Sequence, residues 1–284
     1  MIEIDVFCPL YNAEHEIEYI SKAIYEQKNV VIRNVLFVLT ESTDGTEDYL
    51  NNNDIRYVKI LKEDFSYSLT REYYIKNSLS SNIVVMISQD IRFVDNLVFY
   101  NLAKCINDEI AYSFARQKAY DNSIEKYIRE YNYPSASRVV SKSDIDVLGI
   151  KAFFASDVCC AIDRGVFLKL NGYDSLNLVM NQDMYYAKKM ILNNYKIKYE
   201  PAAIILHSHK YKLKSLYKRY VLIGNFFRDF PEFQNYRDYS TAADLAKYVL
   251  VNAVKEVNVL VLLRFLPNMM VRYFGKKRGM KNDS

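Results

Sequence analysis

The sequence predicts an α/β fold: a mostly parallel central sheet with helices on both faces, followed by a C-terminal helical appendage. Three observations predict it. Short apolar runs alternate with helical repeats through the first third of the chain, and the runs are bounded by turn- or cap-forming residues. With 284 residues, half of them hydrophobic, the chain can also bury one large core.

Ile4-Asp5-Val6-Phe7-Cys8 is the first strand, closed by Pro9, after which Ile17, Ile20 and Ile24 fall on one face of a helix. Val35 to Leu39 is the second strand, and Thr43-Asp44-Gly45 makes a turn that caps a helix at Thr46. Ile55 to Ile60 reads as the third strand, Ser68 to Ser78 as a helix and Ile83 to Ile87 as the fourth strand. Later, an apolar segment spans Ala152 to Ala155, Gly172-Tyr173-Asp174 marks a turn, Met184 to Asn193 repeats as a helix, and Ala202 to Leu206 is extended. In a sheet of this order ligands bind outside the carboxyl ends of the strands. Four loops are thereby singled out: Pro9-Leu10-Tyr11-Asn12, Thr40 to Asp44, Phe65 to Arg71, and Ser88-Gln89-Asp90.

Composition narrows the function classes. No Gly-x-Gly-x-x-Gly and no Gly-x-x-x-x-Gly-Lys-Ser/Thr stretch occurs, which removes the usual dinucleotide and P-loop readings. The four cysteines lack metal-type spacing and fit a reduced, intracellular setting. The start of the chain lacks a basic flank and a continuous apolar run, so no signal peptide and a cytoplasmic location are expected. The net charge of +4 is concentrated in Lys210 to Arg219 and Lys276 to Lys281, which implies anionic partners. Neither cluster comes with a recognition module, so nucleic acid is not expected as a partner.

Two of the three histidines, His207 and His209, stand one residue apart after the Ala202–Leu206 run, just before five basic residues in the next ten. Strand alternation points both to one face, which suits shared ligation, or one ligand and one substrate contact, at a metal or diphosphate site.

Pro9-Leu10-Tyr11-Asn12, Ser42-Thr43-Asp44-Gly45-Thr46, Ser68-Leu69-Thr70-Arg71, Gln89-Asp90, Phe154-Ala155-Ser156-Asp157, Leu170-Asn171-Gly172-Tyr173-Asp174, Asn181-Gln182-Asp183 and His207-Ser208-His209 follow one another in this order. As a set they resemble the inverting glycosyltransferases of family 2, with the GT-A fold. The resemblance covers about residues 3–225, which implies a GT-A domain over 1–225 and a helical segment over 226–284 serving a membrane surface or a dimer. Phe65 to Arg71, Ser88-Gln89-Asp90 and Lys218-Arg219-Tyr220 most resemble bacterial rhamnosyltransferases that use dTDP-rhamnose.

That resemblance implies roles. A divalent cation, Mg²⁺ or Mn²⁺, would be held by Asp90 with His207 or His209 and would neutralise the departing diphosphate. Asp90 matches the last acid of the family's Asp-x-Asp element, and Ser88 stands where the first acid often is. Asp183 would be the base that deprotonates the acceptor hydroxyl; equally, it is an acid placed favourably at a helix N-terminus. Gln182 replaces the acid that commonly precedes it, and with Asp157 it would face the acceptor, although Asp157 also suits a turn. Donor binding would fall to Pro9, Tyr11, Asn12, Glu41, Asp44, Arg71, Ser88, Gln89, Asp90 and Arg219. The acid frequent at the end of the second strand is here Leu39 or Thr40, which leaves the nucleobase partner open.

The implied partners are a nucleotide-sugar donor and a lipid-linked saccharide acceptor. A UDP-hexose donor, or a non-catalytic sugar-nucleotide binder, are the alternatives. Leu245 to Phe274 is interrupted by Lys255, Glu256, Arg264 and Pro267, too often for a transmembrane span. Amphipathic helices lying peripherally on the inner membrane face fit it, as does a homodimer interface.

Overall fold

The computed structural model describes residues 1–237 and 242–281. They build a nine-stranded sheet: β1 Ile2–Leu10, β2 Val30–Thr40, β3 Tyr57–Ile60, β4 Ile83–Ile87, β5 Arg92–Phe93, β6 Ile110–Lys118, β7 Arg138–Val140, β8 Cys159–Asp163 and β9 Lys196–Leu206. Its order is β3-β2-β1-β4-β8-β6-β9-β5, with β7 pairing β9. The first four strands are parallel, as are β6 and β9; β8 lies antiparallel between β4 and β6, and β5 and β7 are antiparallel to β9.

Side-chain alternation along β1 splits the core into two layers. Ile4, Val6, Cys8 and Leu10 pack with Ile17, Ile20 and Ile24 of the helix Ile17–Tyr25. Phe7 belongs to the other layer, with Leu36, Val38, Ile75, Phe167 and Tyr186. Between them, fully buried Asp5 accepts hydrogen bonds from the Ser80 and Ser81 amides and the Ser81 hydroxyl at 2.7–2.8 Å, which fixes the entry to β4.

The four expected strands are present, with β2 starting earlier than Val35 and β3 later than Ile55. Strand β6 carries a weaker sequence signal, because its polar Ser113 and Gln117 lie inside the protein. Both are satisfied by tertiary partners, Ser113 by the Leu102 carbonyl and Gln117 by a cluster described below.

The helix Leu213–Asp229 runs through position 225, and the helix Val259–Met280 packs along it. The approach depends on glycine. A Cβ on Gly224 would come within 2.3 Å of the Lys276 carbonyl, and one on Gly279 within 2.1 Å of the Val221 carbonyl. Val261, Val249 and Ala253 join Tyr127 and Ile128 of the helix Ile124–Asn132 in a third core. Among the described residues no helix is long and apolar enough to cross a membrane.

Candidate active site

A cleft of about 580 Å³ opens over the carboxyl ends of β1 and β4, within the usual size range of ligand pockets. From β1 the chain moves outward to β2 and β3, then returns to place β4 on the opposite side. The strand ends diverge at that switch point and leave a crevice. Pro9, Leu10 and Tyr11 contribute from β1 and its following loop, Thr40 from β2, and Ser88, Gln89 and Asp90 from the end of β4. Gln89 pins the first loop, accepting from the Tyr11 amide at 2.8 Å and donating to the Tyr11 carbonyl at 3.0 Å.

One wall gathers a carboxylate and two imidazoles. His207 Nε2 lies 3.4 Å and His209 Nδ1 3.6 Å from the same Asp90 oxygen, and the ligand atoms of the three residues lie within 4.8 Å of one another. β9 ends at Leu206, and the extended chain beyond it turns both rings toward Asp90, their centroids 4.7 Å apart. Burial lowers the pKa of His207 against the pull of Asp90, and takes His209 down to about 4 with the help of His207. Burial alone would raise Asp90, but hydrogen bonding to His207 and attraction by both rings hold its carboxyl below the ordinary range. Neutral imidazole nitrogens beside an ionised carboxylate are the protonation states a divalent cation needs. One carboxylate oxygen with two imidazole nitrogens is a donor set able to hold a divalent cation.

Across the cleft, Asp183 sits in the first turn of the helix Gln182–Leu192, and its carboxylate accepts from the Met184 amide at 2.8 Å. Burial and then the charge of Asp157 raise its pKa to about 7, with the Met184 and Asp157 amides and Arg71 opposing. A carboxyl titrating there is poised to take a proton near neutral pH. Asp157 itself is buried and accepts from the hydroxyls of Tyr112 at 2.7 Å and Tyr173 at 3.1 Å. Tyr173 is held by the predicted turn, where Gly172 adopts φ +48° and Glu72 accepts from the Tyr173 amide.

Arg71, Gln182 and Arg219 also reach the cleft. Arg71 is buried and donates to the Tyr67 carbonyl at 2.5 Å. Its Nε and the Thr40 hydroxyl are buried without a hydrogen-bond partner among the described residues. Such atoms are costly unless a ligand engages them.

Three expected donor contacts do not line this cleft. Asp44 accepts from the Glu14 amide and from the Thr46 amide and hydroxyl, so its carboxylate is committed to the loop. Asn12, at φ +46°, accepts from the Thr43 amide while its own amide donates to Ser42, clamping the first two loops together. Glu41 is exposed, and its amide donates to the Ile60 carbonyl. For Asn12 and Asp44 the cause is physical: short polar side chains in tight turns bond their nearest backbone before they can reach a ligand.

Other residues went unread in the sequence. Lys62 stands 5.2 Å from the Tyr11 ring centroid at the cleft. Buried Gln117 accepts from Arg129 and pairs with His207 Nδ1 at 3.0 Å, while its amide nitrogen donates to Tyr133 and Ser156. With Gln117 Oε1 as acceptor, Nδ1 carries a proton, which leaves Nε2 on the Asp90 side as the nitrogen that could ligate a cation. No local pattern marks this glutamine, since its partners lie 12 to 90 residues away. Gln117→Leu is expected to weaken Mn²⁺ binding about 10- to 100-fold, measured by titration with EPR detection; unchanged affinity would remove Gln117 from this role.

No protein-family model matches the sequence. It is 30% identical over 245 residues to the O-antigen chain rhamnosyltransferase RfbN of Salmonella typhimurium, spanning 85% of this chain and 77% of that protein. It is 29% identical over 211 residues to the O-antigen chain rhamnosyltransferase WbaN of Salmonella anatum, spanning 73% and 66%. Among solved structures it is similar in fold to the mannosyltransferase PcManGT of Pyrobaculum calidifontis, determined with GDP-mannose and Mn²⁺. The TM-score is 0.61 at 11% identity, over 99% of this chain and 88% of that one. Glucosyl-3-phosphoglycerate synthase of Mycobacterium tuberculosis, determined with Mn²⁺, UDP-glucose and phosphoglyceric acid, has a TM-score of 0.55 at 16% identity, over 80% and 79%.

Proposed function

The chain belongs to the GT-A glycosyltransferases, in the family of the O-antigen chain rhamnosyltransferases, and from that premise we propose that it moves L-rhamnose from dTDP-rhamnose onto a lipid-linked saccharide with inversion at the anomeric carbon. One observation carries the reading: Asp183 and the Asp90, His207, His209 cluster line the same cleft. A base and a diphosphate site must share one space for an in-line displacement.

Donor binding is assigned to Pro9, Tyr11, Thr40 and Arg71, with Gln89 holding the first loop in place. Thr40 Oγ and Arg71 Nε supply the polar atoms that the fold leaves unpaired. Ser88 is assigned to the ribose or sugar hydroxyls, and Arg219 and Lys62 to the phosphates. Asp90, His207 and His209 would hold a divalent cation, which when bound would supply positive charge against the departing nucleoside diphosphate. Asp183 takes the proton of the acceptor hydroxyl as that oxygen bonds to the anomeric carbon, while the bond from that carbon to the diphosphate breaks on the opposite face. Burial first, and then Asp157, locked by Tyr112 and Tyr173, keep the Asp183 pKa high, and Gln182 beside it contacts the acceptor without adding a negative charge. With such an acceptor, the reaction is assigned to cell-surface polysaccharide synthesis, at the inner membrane face.

Purified protein given Mn²⁺, a saccharide acceptor and a panel of dTDP- and UDP-sugars is expected to release dTDP from dTDP-rhamnose faster than any UDP-hexose releases UDP. Preferential turnover of a UDP-hexose would overturn the donor. Binding of donors without release of any nucleoside diphosphate would make the chain a sugar-nucleotide binder.

A further inference from the structure

The C-terminal helix presents an apolar ridge that the fold leaves uncovered. Val259, Leu263, Leu266, Met270, Tyr273 and Phe274 recur at three- and four-residue spacing along one side of Val259–Met280, and each is 47–74% exposed. Val254 and Val257 extend the apolar surface beyond its start. At 1.5 Å per residue the ridge runs about 22 Å. Contiguous exposed apolar surface of this extent marks an interaction site on a folded protein.

The opposite side of the same helix is firmly docked. Gly275 and Gly279 press against Leu213–Asp229, Val261 enters the third core, and Arg272 donates to Glu125 and to the Tyr220 hydroxyl at 2.5 Å. The ridge is therefore held outward by packing on its back.

Charge identifies the occupant. Between Glu256 and Asp283 the sequence has six basic residues, Arg264, Arg272, Lys276, Lys277, Arg278 and Lys281, and no acidic one. Lys277 continues the line of the ridge, and Arg278 and Lys281 follow at the same end. Whichever way two helices run, a second copy laid against this surface offers no carboxylate from its own Val259–Met280 to pair with these cations, whereas an anionic bilayer offers hydrocarbon for the ridge and phosphates for its basic end. Tyrosine near the basic end suits the headgroup level.

We propose that this ridge is the surface by which the protein lies on an anionic phospholipid membrane. The proposal rests on the lipid-linked acceptor proposed above and names the face that meets the bilayer. Leu213–Asp229 carries Arg219 into the cleft and Gly224 against the ridge helix, so one helix connects the reaction site to the membrane-bound element.

The test uses full-length protein and phosphatidylcholine vesicles with or without phosphatidylglycerol. Wild type is expected to sediment with the anionic vesicles at least about tenfold more tightly than with neutral ones. The double substitution Leu263→Glu and Leu266→Glu should lower that affinity about tenfold or more, with an unchanged circular dichroism spectrum and unchanged release of nucleoside diphosphate with a soluble saccharide acceptor. Substituting Lys277, Arg278 and Lys281 by Gln should remove the preference for the anionic lipid. Vesicle binding that survives the double substitution overturns the proposal. So does a wild-type dimer that fails to bind vesicles and dissociates on that substitution, which assigns the ridge to a second copy. Protein that sediments as expected but turns over no donor leaves the docking surface standing and overturns the reaction instead.

Discussion

Asp183→Asn is expected to lower the transfer rate by about 10²–10⁴-fold while leaving affinity for the nucleotide-sugar donor unchanged, because the substitution removes only the proton acceptor. Calorimetric donor binding and a nucleoside diphosphate release assay separate the two quantities. In the wild type the base must be ionised, so with a pKa raised to about 7 the rate should climb roughly tenfold per pH unit below 7 and level off above it. A nearly full rate in the variant, or a profile flat from pH 5 to 8, would exclude Asp183 as base.

Stability should move the other way. An unfolded chain releases the Asp183 proton in the ordinary carboxyl range, whereas the folded chain keeps it to about pH 7. Between those limits the native state binds more protons, so this residue's contribution to stability falls as pH rises and stays low above 7. Asp183→Asn should therefore raise Tm at pH 8, by an amount on the order of 2 °C or more, with little change at pH 4. A more stable but inactive variant is the signature of a group held in an unfavourable environment for function.

Asp90→Ala has the second largest expected effect. Asp90 is the anionic member of the Asp90, His207, His209 cluster, and without it the two imidazoles have no charge with which to hold a cation. Mn²⁺ titration should lose its saturable phase, and transfer should fall about a hundredfold or more, since charge stabilisation by such an ion is worth several kcal/mol. His207→Ala should approach the same loss, because His207 is the buried member of the cluster and its ring is held by Gln117. His209 is more exposed, and its removal should cost less. A metal response in Asp90→Ala equal to that of the wild type would overturn the assignment.

The candidate site was legible wherever a residue's position followed from strand order. Pro9, Tyr11, Ser88, Gln89 and Asp90 end their strands at the switch point, so finding the strands was enough to find them. Asp183 was legible as the acid opening an apolar-periodic helix, and the two histidines as a pair at a strand end. Asn12, Glu41 and Asp44 lie off the cleft because a loop's place in the fold says which loop faces the ligand, but not which of its side chains do, and the turns themselves engage Asn12 and Asp44. Gln117, Lys62 and the tyrosines that grip Asp157 were invisible because their roles arise from partners distant in sequence.

By itself, the sequence determined the alternating strand and helix order, the loops that form the cleft and the residue types that can hold a cation and accept a proton. These follow from local periodicity and turn chemistry, which act over a few residues. Only the tertiary structure decided that Asp157 raises Asp183, that Gln117 sets the tautomer of His207, and that glycine contacts hold the C-terminal helix with its apolar side outward. Burial, charge proximity and close packing depend on through-space distance, and chain order does not specify that distance until the sheet has brought remote segments together.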